Sequence, residues 1–250
     1  MIRQCFSIFD GIGPTREQAI RSAGITDWQR LLATDTVPGL SHELHESLLC
    51  QVRQWSLALE RGDAAFFAGH LPRSKHWMLF DAFAGSVRYL DIETTGLSPR
   101  YHDVTVVGVH DGKDCRTLVR GRGLSAEAIR QALAGCKLLV TYFGTVFDVP
   151  FLSAAFAQFR WDLPHFDLCF GGRRVGLTGG LKEVERELGM QRDASIGEVD
   201  GFEAVRLWRR HQRGDGTALT KLLQYNEADT RNLAHVAKIV YERLCRKSPA

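Results

Sequence analysis

The stretch VRYLDIETTGLSP, residues 87–99, decides how the chain is read. Val87, Tyr89, Leu90 and Ile92 are strand formers, so the run reads as a buried β-strand. Alternate residues of a strand face the same side. Asp91 and Glu93 therefore point the same way, at the end of a strand that enters a core. Like charges so placed repel each other and are costly to desolvate. The stretch calls for a cation between them.

Working outward, DVTVVGVHDG (103–112) is apolar at its centre and closes on Asp111-Gly112, and KDCRTLVR follows across a tight turn. This pattern predicts a hairpin, so the first three strands should be antiparallel neighbours. SAEAIRQALAG predicts a helix capped by Ser125, CKLLVTYFG (136–144) a further strand, and DVPFLSAAFAQF a further helix. GFEAVRLWRRHQRGD and TALTKLLQYNEADTRNLAHVAKIVYERL predict the main C-terminal helices. Together these imply an α/β fold with helices on both faces of the sheet. Upstream the pattern is helical instead. PTREQAIRSAGI has Pro14 and Thr15 at its start and Gly24 at its end, TDWQRLL is a short second helix, and SHELHESLLCQVRQWSLALERG runs from Ser41 to Gly62. The expected division is a small all-helical region over 1–80 and an α/β domain over 81–250.

Bulk properties narrow the class. The chain has 250 residues, 44% of them hydrophobic and 24% charged, as a soluble globular protein does. It holds no run of about 18 apolar residues, so no membrane-spanning helix is expected. The first residues, MIRQCFSIFDGIG, lack the apolar core of a signal peptide. Six scattered cysteines form no C-x-x-C pair, which argues against a zinc site or a disulfide framework and leads us to expect a cytoplasmic protein. Residues 1–80 balance eight basic against eight acidic side chains, so the net charge of +3 belongs to the remainder. That charge permits a polyanionic partner without requiring one.

Two more acidic positions stand out. Asp148 follows LLVTYFGTVF at the turn from strand to helix, where it reads either as a helix N-cap or as a further ligand. Asp229 lies in the last helix at helical offsets from Leu222, Leu233, Val236 and Val240, so it interrupts the core-facing stripe. Tyr225 lies one turn earlier on the same face, as a core tyrosine or as a partner of Asp229. Four carboxylates from separate segments suit hard divalent cations, Mg²⁺ or Mn²⁺, which prefer oxygen ligands. Two such ions, ~3.5–4 Å apart, can activate a water and stabilise the leaving oxygen in phosphodiester hydrolysis. The chemistry points to a nuclease.

The motifs carry a resemblance. DIETTGL, YFGTVFDVPFL and YNEADTRNL resemble, in order, the three motifs of the DEDD exonucleases of the ribonuclease H-like superfamily, the third in its tyrosine form Y-x-x-x-D. PHFDL, GGLKEVERELG and AVRLWRRHQRGDGTALTKLLQYNEADTRNL further resemble the YprB-like group of that superfamily, over roughly residues 75–240. The resemblance implies a ribonuclease H-like mixed sheet and a two-metal 3′→5′ exonuclease acting on single-stranded DNA or RNA ends. It implies that Asp91, Glu93, Asp148 and Asp229 hold the ions and that Tyr225 positions the attacking water. His165 and Asp167 would act behind the ligands, Asp167 either as a helix N-cap or as an outer support. Related chains often carry asparagine where this one has Phe143, which could stack on a base or fill the core.

Several segments suit nucleic acid. FDGIGPTREQAIRSAGITDWQRLL resembles a helix–hairpin–helix element whose Gly11 and Gly13 would offer backbone N–H groups to a phosphate; a tight turn between packed helices is the plainer alternative. VPGLS is a second, weaker hairpin. Thr94, Thr95 and Gly96 would let a nucleic acid end approach closely, and Lys182 at a helix start would meet a phosphate. Arg173-Arg174 and the arginines of 206–213 could contact the backbone or simply be solvated. His42, His45 and His211 are expected at the surface. Two rival functions remain: an inactive nucleic-acid-binding module on this fold, and a structure-specific endonuclease.

Overall fold

The computed structural model describes residues 1–156, 159, 161–190 and 201–247. Five strands form one mixed sheet: β1 (Val87–Thr94), β2 (Val104–His110), β3 (Cys115–Val119), β4 (Leu138–Thr141) and β5 (His165–Asp167), in the order β3-β2-β1-β4-β5. The three leading strands are antiparallel, and β4 and β5 add in parallel beside β1. The expected hairpin is formed: the Asp111 carboxylate accepts the N–H groups of Lys113 and Asp114, and Gly112 takes φ 97°. β5 was not expected, because three residues are too few to show a period.

Ten α-helices are described. The N-terminal region holds α1 (Pro14–Ser22), α2 (Trp28–Leu32), α3 (His42–Arg61) and α4 (Ala64–His70). A 3₁₀ helix over Arg73–Leu79 leads from it towards the sheet. α5 (Ala126–Ala132) and α6 (Asp148–Ala155) follow β3 and β4. α7 (Leu168–Arg173), α8 (Leu181–Glu187), α9 (Gly201–Gln212) and the long α10 (Gly216–Lys247) complete the chain. Among the described residues no helix is long and apolar enough to cross a membrane.

Strand alternation sorts β1 between two layers. Leu90 and Ile92 pack with Ile129 of α5 and with Phe151 and Leu152 of α6. Val87 and Tyr89 share the opposite face with Leu233, Val236 and Val240 of α10. That second apolar cluster continues into the N-terminal helices, through Trp28, Leu48, Trp55 and Phe67. Trp28 is fixed there by its indole N–H, which donates to the Cys5 carbonyl at 3.0 Å.

One expectation about the N-terminal region needs correction. His45 is buried at 3% exposure, because it stands on the same face of α3 as Leu48, Leu49 and Val52. His42 is exposed and His211 only partly so. The turn GIGP does have Gly13 as N-cap of α1 and Gly11 at φ 77°, but a single 3₁₀ turn, Ile2–Gln4, precedes it rather than an α-helix. It is VPGLS, with Gly39 at φ 84°, that joins two α-helices, α2 and α3.

Candidate active site

Asp91 and Glu93 share a face of β1, as Val87 and Tyr89 do, and that face is covered by α10. The opposition of β1 and β2 makes room for this. Asp91 pairs with Gly108, and a Cβ at Gly108 would meet Thr230 Oγ1 at 2.3 Å and Asn226 Oδ1 at 2.5 Å. The missing side chain lets α10 lie close, so that Asn226 donates through Nδ2 to Asp91 Oδ2 at 2.8 Å. The β1–β2 register shifts between Glu93 and Thr94, a bulge that re-aims the end of the strand. α10 also brings Tyr225 and Asp229, separated by one turn, and the Tyr225 hydroxyl is hydrogen-bonded to Asp229.

Asp148 enters from β4. The N-cap of α6 is Phe147, without a side-chain cap, so Asp148 is the first helical residue and not a cap. Its carboxylate takes the backbone N–H groups of Asp148 itself and of Ile92. Asp91, Glu93, Thr94, Gly96, Phe143, Asp148, Tyr225 and Asp229 line one cavity of about 360 Å³, together with Leu97 and Phe202 at its mouth. Lys182 stands beside it, with Nζ 4.8 Å from the centre of the Tyr225 ring.

The electrostatics are those of crowded like charges. Burial raises Asp91 and Glu93 well above the usual carboxylate range, and Asp229 and Asp148 push both further up. At Glu93 those two carboxylates outweigh the opposing pull of Lys182, and Asn226 lowers both acids only slightly. Burial also lifts Asp148 to about 7, with the Asp167 charge adding to it. Tyr225 is held strongly in its neutral form, by burial first and then by Asp229. Among the described residues no group of three or more His, Cys, Asp or Glu side chains stands, as placed, ready to hold one ion; the carboxylates ring the cavity rather than converge in it. The donor set is nonetheless all oxygen and strongly anionic, which suits a hard divalent cation.

The remaining expected residues lie apart. The Thr95 hydroxyl accepts the Asp103 N–H and does not line the cavity. Gly96 lines it, but a Cβ there would strike the His102 ring at 2.3 Å, so the glycine serves that packing. Asp167 caps α7 through the Cys169 N–H and also accepts the N–H groups of Phe143 and Thr145, each at 2.9 Å. It thereby holds the loop where Phe143 takes φ 64°. His165 bonds to Thr141 Oγ1 at 2.8 Å behind that loop, and burial pushes it down to about 4. Gly11 and Gly13 do not line the cavity. Asn226 and Gly108 were missed, although Asn226, three residues before Asp229, was a second polar residue in the same core stripe.

Fold, topology and sequence agree on a class. The family model of the RNase_H superfamily matches residues 88–241, and the chain belongs to that superfamily. A comparison with curated proteins gives no match. Among solved structures the chain is similar to a nuclease in its apo form, with 17% identity, 64% of this chain and 74% of that chain covered, and a TM-score of 0.48. It is also similar to Brucella melitensis NrnC, with 20% identity, coverage of 67% and 78%, and a TM-score of 0.45. Escherichia coli RNase D, an exoribonuclease involved in structured RNA processing, gives 15%, 70% and 49%, and 0.42.

Proposed function

We propose that the protein is a divalent-metal-dependent 3′→5′ exonuclease that hydrolyses phosphodiester bonds at single-stranded nucleic acid ends. The observation that carries this reading is that Asp91, Glu93, Asp148, Asp229 and Tyr225, from three separate elements of an RNase_H superfamily domain, line one cavity. Asp91, Glu93 and Asp229 would hold one Mg²⁺ or Mn²⁺ ion, with Asp91 and Asp148 serving a second. When bound, such ions supply the Lewis acidity that makes water nucleophilic and neutralises charge on the leaving oxygen. Asn226 keeps the Asp91 carboxylate oriented through its 2.8 Å bond. Tyr225, neutral and bonded to Asp229, positions the attacking water by its hydroxyl. Lys182, beside Tyr225 and Glu93, offsets negative charge on the phosphate. Phe143, exposed at 38% on the cavity wall, offers its ring to a terminal base. The N-terminal hairpins would add contacts to the phosphate backbone that do not read sequence.

The test uses a 5′-labelled single strand of DNA or RNA with Mg²⁺ or Mn²⁺. A ladder shortening from the 3′ end, absent with Asp91→Ala, is the expected result. Equal cutting of a circular strand would replace this reading by an endonuclease. Intact strand under every metal, with no difference from Asp91→Ala, would leave a binding module.

A further inference from the structure

A second cavity, about 760 Å³, lies outside the carboxylate site, between the N-terminal helices and the β5–α7 segment. Its lining combines aromatic rings, Trp77, Trp161 and Phe170, with two exposed arginines, Arg73 and Arg174. Both cavities use the loop after β4 as a wall: Phe143 faces the carboxylate side and Thr145 the larger void. The rings of Phe143 and Phe170 lie 6.1 Å apart. From there aromatic and cationic groups alternate. Arg173 stands 5.7 Å over the Phe170 ring and Arg174 5.6 Å over the Trp77 ring.

This path is braced and basic. Arg174 donates to the Ser74 carbonyl at 3.0 Å, and Lys247 donates to the Arg174 carbonyl at 2.7 Å. Arg243, Arg246 and Lys247 line a shallow groove that continues past Val175 and Gly176. The acidic groups of the large cavity oppose little of this. Asp167 spends its oxygens on three backbone N–H groups, and Asp162 is exposed at the rim. Neither histidine in the wall adds charge near neutrality, since burial lowers both His76 and His165.

We propose that the single strand whose 3′ end enters the carboxylate cavity leaves it over Phe143 and Phe170, and seats an upstream nucleotide in the large cavity. The base lies against Phe170 and Trp161, and the phosphates meet Arg173, Arg174 and Arg73. Interleaved rings and cations along a groove are what sequence-tolerant binding of a single strand requires. The shared loop wall and the basic groove beyond Arg174 favour a continuous strand over a free nucleotide. The inference rests on the nucleic acid reading above, but not on catalysis.

The test measures binding of 5′-labelled single strands by fluorescence anisotropy, with Mg²⁺ and Asp91→Asn as the background. A decanucleotide should bind at least about tenfold more tightly than a dinucleotide, which fits the carboxylate cavity alone. Phe170→Ala and Arg174→Gln should each remove most of that gain and leave the dinucleotide within about twofold. Both side chains are exposed, and an unchanged melting temperature confirms that the variants fold. Equal affinity for both lengths, equal losses on both, or a gain that survives both variants would overturn the path. So would a free nucleoside monophosphate that competes as well as the decanucleotide. If the wild-type protein cuts nothing but shows this length dependence, the exonuclease reading falls and the path stands. If it cuts and the length response is flat, the path falls alone.

Discussion

Replacing Asp148 by asparagine should stabilise the metal-free protein and weaken its response to metal. Asp148 is 4% exposed, and burial lifts its carboxyl from 3.8 to about 7. Between those values the folded chain keeps a proton that the unfolded chain has released. Stability is therefore highest at the acid end of this window and falls as pH rises through it. At about 1.4 kcal/mol per pH unit, the full loss is roughly 4 kcal/mol above pH 7. This is an upper figure, because Asp91, Glu93 and Asp229 relax when one neighbour changes. The asparagine oxygen can still accept the backbone N–H groups that Asp148 takes from itself and from Ile92, at no cost in charge.

Urea unfolding at pH 8 in chelator should then show Asp148→Asn more stable than wild type by about 2–4 kcal/mol. Saturating Mg²⁺ or Mn²⁺ should raise the wild type by about 2–3 kcal/mol when the ion exceeds its dissociation constant about a hundredfold. The variant should gain much less. A variant less stable than wild type in chelator at pH 8, or one with the same gain from metal, would refute the view that repulsion among these carboxylates is what an ion relieves.

Three further outcomes follow from the geometry. Gly108→Ala should cost about 2 kcal/mol or more in chemical unfolding and should depress activity, because a Cβ 2.3 Å from Thr230 Oγ1 pushes α10 off the sheet with Tyr225 and Asp229. Tyr225→Phe should lower kcat about 10–100-fold while leaving the metal-induced rise in melting temperature intact, since the ring stays and only the hydroxyl is lost. His165 refuses a proton in the fold, burial holding it at about 4 against 6.5 unfolded, so its contribution is complete above about pH 6.5 and is lost as pH falls towards 4. His165→Gln should therefore flatten the acid limb of the stability curve by up to roughly 3 kcal/mol relative to wild type, measured by urea midpoints from pH 7.5 to 4.5.

What the sequence made legible were the violations of its own patterns. Asp91 and Glu93 break a strand of apolar residues, and Asp229 breaks a helical stripe of leucine and valine, so each signals a cost that something must offset. The leading strands were legible for the converse reason: the apolar centre of DVTVVGVHDG and the Asp111-Gly112 turn agree with each other. β5 was not, because His165–Asp167 is three residues long and is a strand only through its pairing with Leu139, Val140 and Thr141. His45 was misread because a histidine is polar by type, although its spacing to Leu48, Leu49 and Val52 already put it on the buried face of the helix.

Asn226 and Gly108 show where such reading stops. Each is unremarked alone, an amide in a helix and a glycine in a strand. Their meaning comes from the register that sets Gly108 against Asp91, and from the approach of α10 that this register permits. Phe143 lies between the two cases. Its type was noticeable beside Gly144, but its φ of 64° was not, since an aromatic residue rarely adopts it. That conformation is kept by two backbone N–H bonds to Asp167, which also caps α7, the helix that carries Phe170 and Arg173. One buried carboxylate thus sets both the ring beside the metal-ligand candidates and the start of the path leading away from them. The charged centre could be read from pattern, but the neutral frame that aims it required the fold.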